Sequence, residues 1–379
     1  MGCSGFENAT VPGASSSVSL SEVARIFSEL PLEPGHLGEV YNAVCSSSGN
    51  GYDEEYMMKD LFTAPGSGVG DDGTPTKAAS YAKPLRSLME EYLRSNPPTR
   101  AGGIVIDADE YIAALTASDV QLYWPYSDSW DGSSFPVITF DPGTDAVVNE
   151  GYEITPLPDG THSVKRVIID EQTARTRPVW VVNRNDDSAF TSLEMLRRQN
   201  PDWGDGGAIV LNSSSGTRSE GVAGKTLILR DFTPKRNYDT WFGGASEFFI
   251  KYGAIEDFTA STEAELRLFV PKITDFMVVV KRNQAGKVIP FNAVLVSSWS
   301  PQLEEFALMI IEEDGGTSTS WKCETMVKVN SKSYGISLDL PFKTRDDIVW
   351  RGPLTSTFLE RFSGVTGHFG DVDLTFDFI

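Results

Sequence analysis

The chain has 379 residues, is about 40% hydrophobic, and sets 32 Lys and Arg against 53 Asp and Glu for a formal charge of −21. That length and apolar content exclude a disordered chain and suit two to three domains with their own cores. The charge excludes nucleic acid as a partner, because the average surface repels phosphate backbones.

The first residues read Met1-Gly2-Cys3-Ser4. A small residue before cysteine suits lipid attachment at Cys3, as at a bacterial lipoprotein junction. Gly2 myristoylation with Cys3 palmitoylation, whose motif Phe6 departs from, and an incidental Gly-Cys at a cytoplasmic start are the competing readings. With no apolar run of ~18 residues, any membrane contact is expected to be covalent. Residues 6–17, "FENATVPGASSS", have little to bury and read as a tether. Residues 1–18 are therefore expected to be the lipid-attachment site and flexible tether.

Residues 19–98 are predicted to be helical. Ser19 and Glu22 have capping-box spacing, followed by Val23, Ile26, Phe27 and Leu30 on one face up to Pro31. A second helix is expected from Pro34 with Leu37, Val40, Tyr41 and Val44 inward, a third near Asp53 to Phe62, and a fourth near Ala78 to Arg94. "NPPTRAGG" closes the region.

From 99 to 235 the pattern changes to short apolar runs between Gly, Pro, Asp and Ser clusters, which predicts a mixed, mainly β domain with helices at Asp109–Leu115 and Ser192–Gln199. No glycine-rich phosphate loop follows any strand. From 236 to 379, "AELRLFV", "FMVVVKR", "FNAVLVSSW", "FALMIIEED", "WKCETMVKV", "YGISLDLPF" and "DVDLTFDFI" predict an antiparallel β-sandwich, with "EDGGTS" as a turn. The expected fold class is α+β.

Catalytic signatures are missing. His36, His162 and His368 fit no HExxH frame, "SSSGTRSEG" is not a GxSxG elbow, and Cys3, Cys45 and Cys323 have neither zinc nor redox spacing. Two stretches suit ligands. In "LYWPYSDSWDG", Tyr123, Trp124, Tyr126 and Trp130 offer flat faces for sugar rings, with Asp128 and Asp131 as acceptors; the same aromatics also suit a core strand ending in a turn. In "NRNDDSAFTSLE", Asn183, Asn185, Asp187, Thr191 and Glu194 occupy positions 1, 3, 5, 9 and 12 of a calcium loop. Asn at position 1 and Ser188 in place of the turn glycine depart from that pattern, and a polar loop capping a helix is the competing reading.

Three features, "NGYDEEYMMKDLF" followed by "PGSGVG", the later "YDTWFGGASEF" and the Gly2-Cys3-Ser4 junction, resemble a family of Bacteroidetes-type cell-envelope lipoproteins of unknown function. The resemblance implies a cell-envelope location and a β-rich C-terminal module; the expected location is the outer membrane, through the lipid anchor, with the facing left open. The expected activity is binding, with a glycan, an envelope protein or calcium as ligand. The alternative is an extracytoplasmic hydrolase of polysaccharide or peptide that uses Asp128 and Asp131.

Overall fold

The computed structural model describes residues 18–50, 54–62, 83–100, 104–143, 146–185, 192–193, 196, 225–255 and 258–379, without the side chains of 47–50 and 100. Cys3, Asp187, Thr191 and Glu194 lie outside the described residues. The fold is α+β, with helices mostly N-terminal and a sandwich-like C-terminal part. No described helix is long and apolar enough to cross a membrane.

The N-terminal half runs α1 (Leu20–Glu29), α2 (Pro34–Asn50), β1 (Glu55–Met57), α3 (Met58–Phe62), α4 (Leu85–Ser95), β2 (Thr99–Arg100), β3 (Ile104–Val105), α5 (Ala108–Thr116), β4 (Val120–Tyr123), β5 (Val137–Phe140), β6 (Val148–Pro156), β7 (His162–Asp170), α6 (Glu171–Thr176) and β8 (Val179–Arg184). α1 begins at the expected cap, where the Ser19 hydroxyl accepts from the Glu22 amide. Its Val23, Ile26 and Phe27 are buried. The third expected helix is split: Glu55–Met57 pairs with β4 as a strand, after Glu54 turns the chain at φ +48°, and only Met58–Phe62 is helical. A six-stranded sheet in the order β1-β4-β8-β5-β6-β7 is antiparallel except where β5 and β8 run parallel. One core unites Ile26, Phe27, Leu37, Val40, Met89 and Leu93 of the helices with Leu122, Trp124, Ile138, Trp180 and Val182 of the sheet.

The C-terminal half runs β9 (Lys225–Pro234), β10 (Ser246–Ala254), β11 (Lys272–Val280), β12 (Ile289–Trp299), β13 (Leu303–Glu312), β14 (Ser318–Val329), β15 (Lys332–Lys343), β16 (Asp347–Thr355), β17 (Thr366–Phe369) and β18 (Val372–Phe378). The expected strand "AELRLFV" instead contains a short helix, Glu263–Leu266. Thr262 caps it by accepting from the Glu265 amide, and the Glu265 carboxylate reaches back to the Ser261 amide. This reciprocal capping overrides the apolar composition. A second helix, Ser356–Arg361, follows β16.

One sheet of the sandwich carries β11-β10-β13, and the other is β12-β9-β18-β17. Phe248, Ile250, Phe306, Leu308 and Ile310 face Leu229, Phe291, Leu295, Leu374 and Phe376 between them. β13 is apolar on both faces, and the reason lies in its three partners. β14 pairs with it only at Leu303 and Glu305, after which β16 takes that edge from Glu305 to Glu312. The freed β14–β15 hairpin lies across the outer face, where Leu338 and Leu340 bury Phe249, Met277, Ala307, Met309 and Ile311. The sequence predicts two layers here; the hairpin adds a third.

Candidate cation site at the junction

β10, β13 and β16 converge where the two halves meet. Their register sets Phe248 opposite Glu312 and Glu312 opposite Asp347. The loop from β9 to β10 brings Asp239 to the same place. Carboxylate oxygens of Asp239, Glu247 and Glu312 lie within 4.8 Å of one another, and so do those of Glu312, Asp314 and Asp347. These acidic groups could hold a metal ion, and Glu312 belongs to both sets.

Glu312 is fully buried, and neither of its carboxylate oxygens has a hydrogen-bond partner. An ionised carboxylate in that position is costly unless a proton or a cation compensates it. Burial raises the Glu312 pKa to about 11, helped by the neighbouring charges of Asp239, Asp314 and Asp347. Without a cation, the group is protonated at neutral pH.

The wall beside Asp239 is an open cleft between the halves, lined by Val147, Glu171, Tyr238, Asp239, Trp241 and Arg282. Trp241 is buried and donates its ring N–H to the Val147 carbonyl at 3.0 Å, so the aromatics of "YDTWFGG" serve the junction. Arg282 donates Nη1 to the Asp239 carbonyl at 2.8 Å and Nε to Glu171 at 3.3 Å. Burial of Glu171 works against its ionisation, yet the Tyr126 hydroxyl and the guanidinium groups of Arg282 and Arg175 hold its pKa below the ordinary value. Lys281 approaches Glu54 at 3.7 Å across the same seam.

No family model, no curated protein and no solved structure matches this chain. The geometry therefore carries the functional argument alone.

The aromatic stretch divides between core and rim. Tyr123 and Trp124 are buried; Trp124 packs against Trp130 at 5.3 Å and Trp180 at 5.8 Å between ring centroids. Trp130 also meets Tyr41 and donates to the Ser134 carbonyl at 2.9 Å. Tyr126 sits at φ +60°, unusual for a bulky residue, and its hydroxyl donates to Glu171 at 2.6 Å. Asp131 accepts from the Ser133 and Ser134 amides and hydroxyls, which hold its pKa far below the usual carboxylate range. Asp128 accepts from Asn283 at 2.9 Å.

Of the expected calcium loop, Asn183 and Asn185 are described and buried. Asn183 donates to the Phe242 and Gly243 carbonyls and Asn185 to Glu55, which also accepts from Gln121. Both asparagine side-chain oxygens are left without a hydrogen-bond partner. Gly244 lines this network at φ +142°, a conformation that side chains rarely adopt, with Glu55 Oε1 3.7 Å from where a Cβ would stand.

Asp239, Glu312, Asp314 and Asp347 belong to none of the candidate sites that the sequence offers. One signal was present: "FALMIIEED" ends an unbroken apolar strand on an acidic run, which puts the first Glu at the rim of a core.

Proposed function

We propose that this protein is a non-catalytic binding module whose junction takes a divalent cation, calcium, between Asp239, Glu247 and Glu312. The single observation that carries the reading is the buried Glu312 carboxylate with two unpartnered oxygens inside an all-carboxylate group. Hard oxygen donors select calcium or magnesium over softer metals, and a dense protein-supplied set favours calcium, because magnesium gives up its waters reluctantly. A cation here would join the loop after β9 to β10 and β13, next to the cleft. A glycan or an envelope protein is the ligand class we assign to that cleft, with a lipid anchor at Cys3 keeping the module at the outer membrane.

The hydrolase alternative rests on Asp128 and Asp131. One Asp128 oxygen accepts from Asn283, and both Asp131 oxygens accept from the Ser133–Ser134 turn. Nothing in that arrangement pairs an acid with a base across a cleft.

Thermal unfolding of the full chain, first stripped with chelator and then titrated with calcium or magnesium, tests the cation site. Calcium at 100 times its Kd is expected to add about 2.7 kcal/mol of stability. Magnesium should add less, and Glu312→Gln should remove the calcium response. A wild-type melting temperature that stays constant up to millimolar calcium overturns the reading.

A further inference from the structure

A second cavity lies between the helix Ser356–Arg361 and the strands β17 and β18. Its volume is about 220 Å³, and Phe358, Leu359, Phe362, Val365, Phe369 and Phe376 form most of its wall. The hydroxyl of Thr366 is engaged with Thr375 at 2.9 Å, so the interior offers no unpaired polar group from that residue. Ring contacts of Phe358 with Phe362 and Phe369, and of Phe369 with Phe376, brace the wall at centroid distances of 5.1, 6.5 and 5.7 Å. Leu359 and Phe369 are buried, whereas Phe362 and Val365 are 40% and 54% exposed at the rim.

An apolar space of this size is filled favourably by an apolar molecule. A cavity of ~150 Å³ suffices for benzene, so this one suits a chain of roughly eight carbons. The charge at its edge selects the head group. The Arg361 guanidinium lies 5.4 Å from the centre of the Phe362 ring. Its neighbour Glu360 is paired with Lys225 at 3.0 Å. Among the described residues no carboxylate forms a salt bridge with Arg361, which is exposed to solvent over the rim residue Phe362.

We propose that this cavity binds a short alkyl carboxylate, with the chain among the phenylalanines and the carboxylate at Arg361. The site is separate from Glu312 and does not depend on the cation. Its binding is mainly apolar, because a charge pair at an exposed arginine adds little.

Calorimetric titration of the full chain with octanoate and with octanol tests the proposal, using wild type, Arg361→Gln, Val365→Trp and Glu312→Gln. Saturable octanoate binding is expected, about three- to tenfold tighter than octanol, with the same loss in Arg361→Gln. Val365→Trp, which changes an exposed rim residue, should close the mouth and abolish binding at an unchanged melting temperature. Glu312→Gln should bind octanoate as wild type does. The proposal is overturned by no saturable octanoate binding, by equal affinity for octanol, or by a correctly folded Val365→Trp that binds normally. A self-association that Val365→Trp disperses and octanoate does not also overturns it, since a second copy would then be the occupant.

Discussion

Glu312 behaves differently from the many surface carboxylates of this chain because its proton is retained in the folded state. Its folded pKa, about 11, lies above the ~4.3 of an unfolded glutamate, so between those values the native state holds one proton more than the unfolded state. Stability from this group is complete below pH ~4.3 and is lost progressively as pH rises toward 11. In chelator, the melting temperature of wild type should therefore fall between pH 5 and pH 9 more steeply than that of Glu312→Gln, whose amide mimics the protonated acid. Parallel slopes for the two proteins in a pH series of melting curves would remove Glu312 as the source. Calcium must displace the same proton, so its apparent affinity should increase with pH and its binding should release protons to the buffer. Calorimetry in two buffers of different ionisation enthalpy reads that release directly.

At the scale of elements, the β14–β15 hairpin depends on close approach at one glycine. A Cβ on Gly253 of β10 would stand 2.6 Å from a methyl of Leu338, a buried side chain on the hairpin's inner face. Gly253→Ala must displace Leu338 and is expected to cost about 1–3 kcal/mol, as overpacking of a core does. Denaturant unfolding measures the loss, and hydrogen exchange should place the new mobility in residues 332–343. The alternation of Val372, Leu374 and Phe376 and the helical spacing of Val23, Ile26 and Phe27 were legible in the sequence, because a single period decides which face is buried. The hairpin's path was not. Local pattern places Trp321, Cys323, Thr325, Val327 and Val329 on one face of β14, but Val327 and Val329 join the sandwich core, whereas Trp321 and Cys323 pack in the outer layer. Cooperation of Asp239, Glu312 and Asp347 was equally hidden, since it depends on the pairing of β13 with both β10 and β16.

For the whole molecule, the seam between the halves is built from polar contacts on a small apolar cluster. Trp241 and Phe242 of the C-terminal half pack with Tyr123, Val137, Val179 and Val181 of the six-stranded sheet. Around them run the Arg282 bonds to Glu171 and the Asp239 carbonyl, the Asn283 bond to Asp128 and the Asn183 bonds to the Phe242 and Gly243 carbonyls. The Arg282 side chain is only 9% exposed, and its removal leaves the Asp239 carbonyl without that donor. Arg282→Ala is expected to weaken the seam by about 1–3 kcal/mol and to resolve two unfolding transitions where wild type shows one. Differential scanning calorimetry distinguishes the outcomes. Helices before residue 98 pack on the sheet that ends at Arg184, and β9, before 236, belongs to the sandwich.

The position of β9 also bears on how the protein is made. In its sheet β9 lies between β12 and β18, and Thr226 exchanges both backbone hydrogen bonds with Ile379. Residues 225–234 leave the ribosome early, yet one edge of that strand has no partner until residues 372–378 follow. During translation the half-built sandwich exposes an apolar ribbon, the kind of surface that chaperones hold, until residues 372–378 emerge and cover that edge.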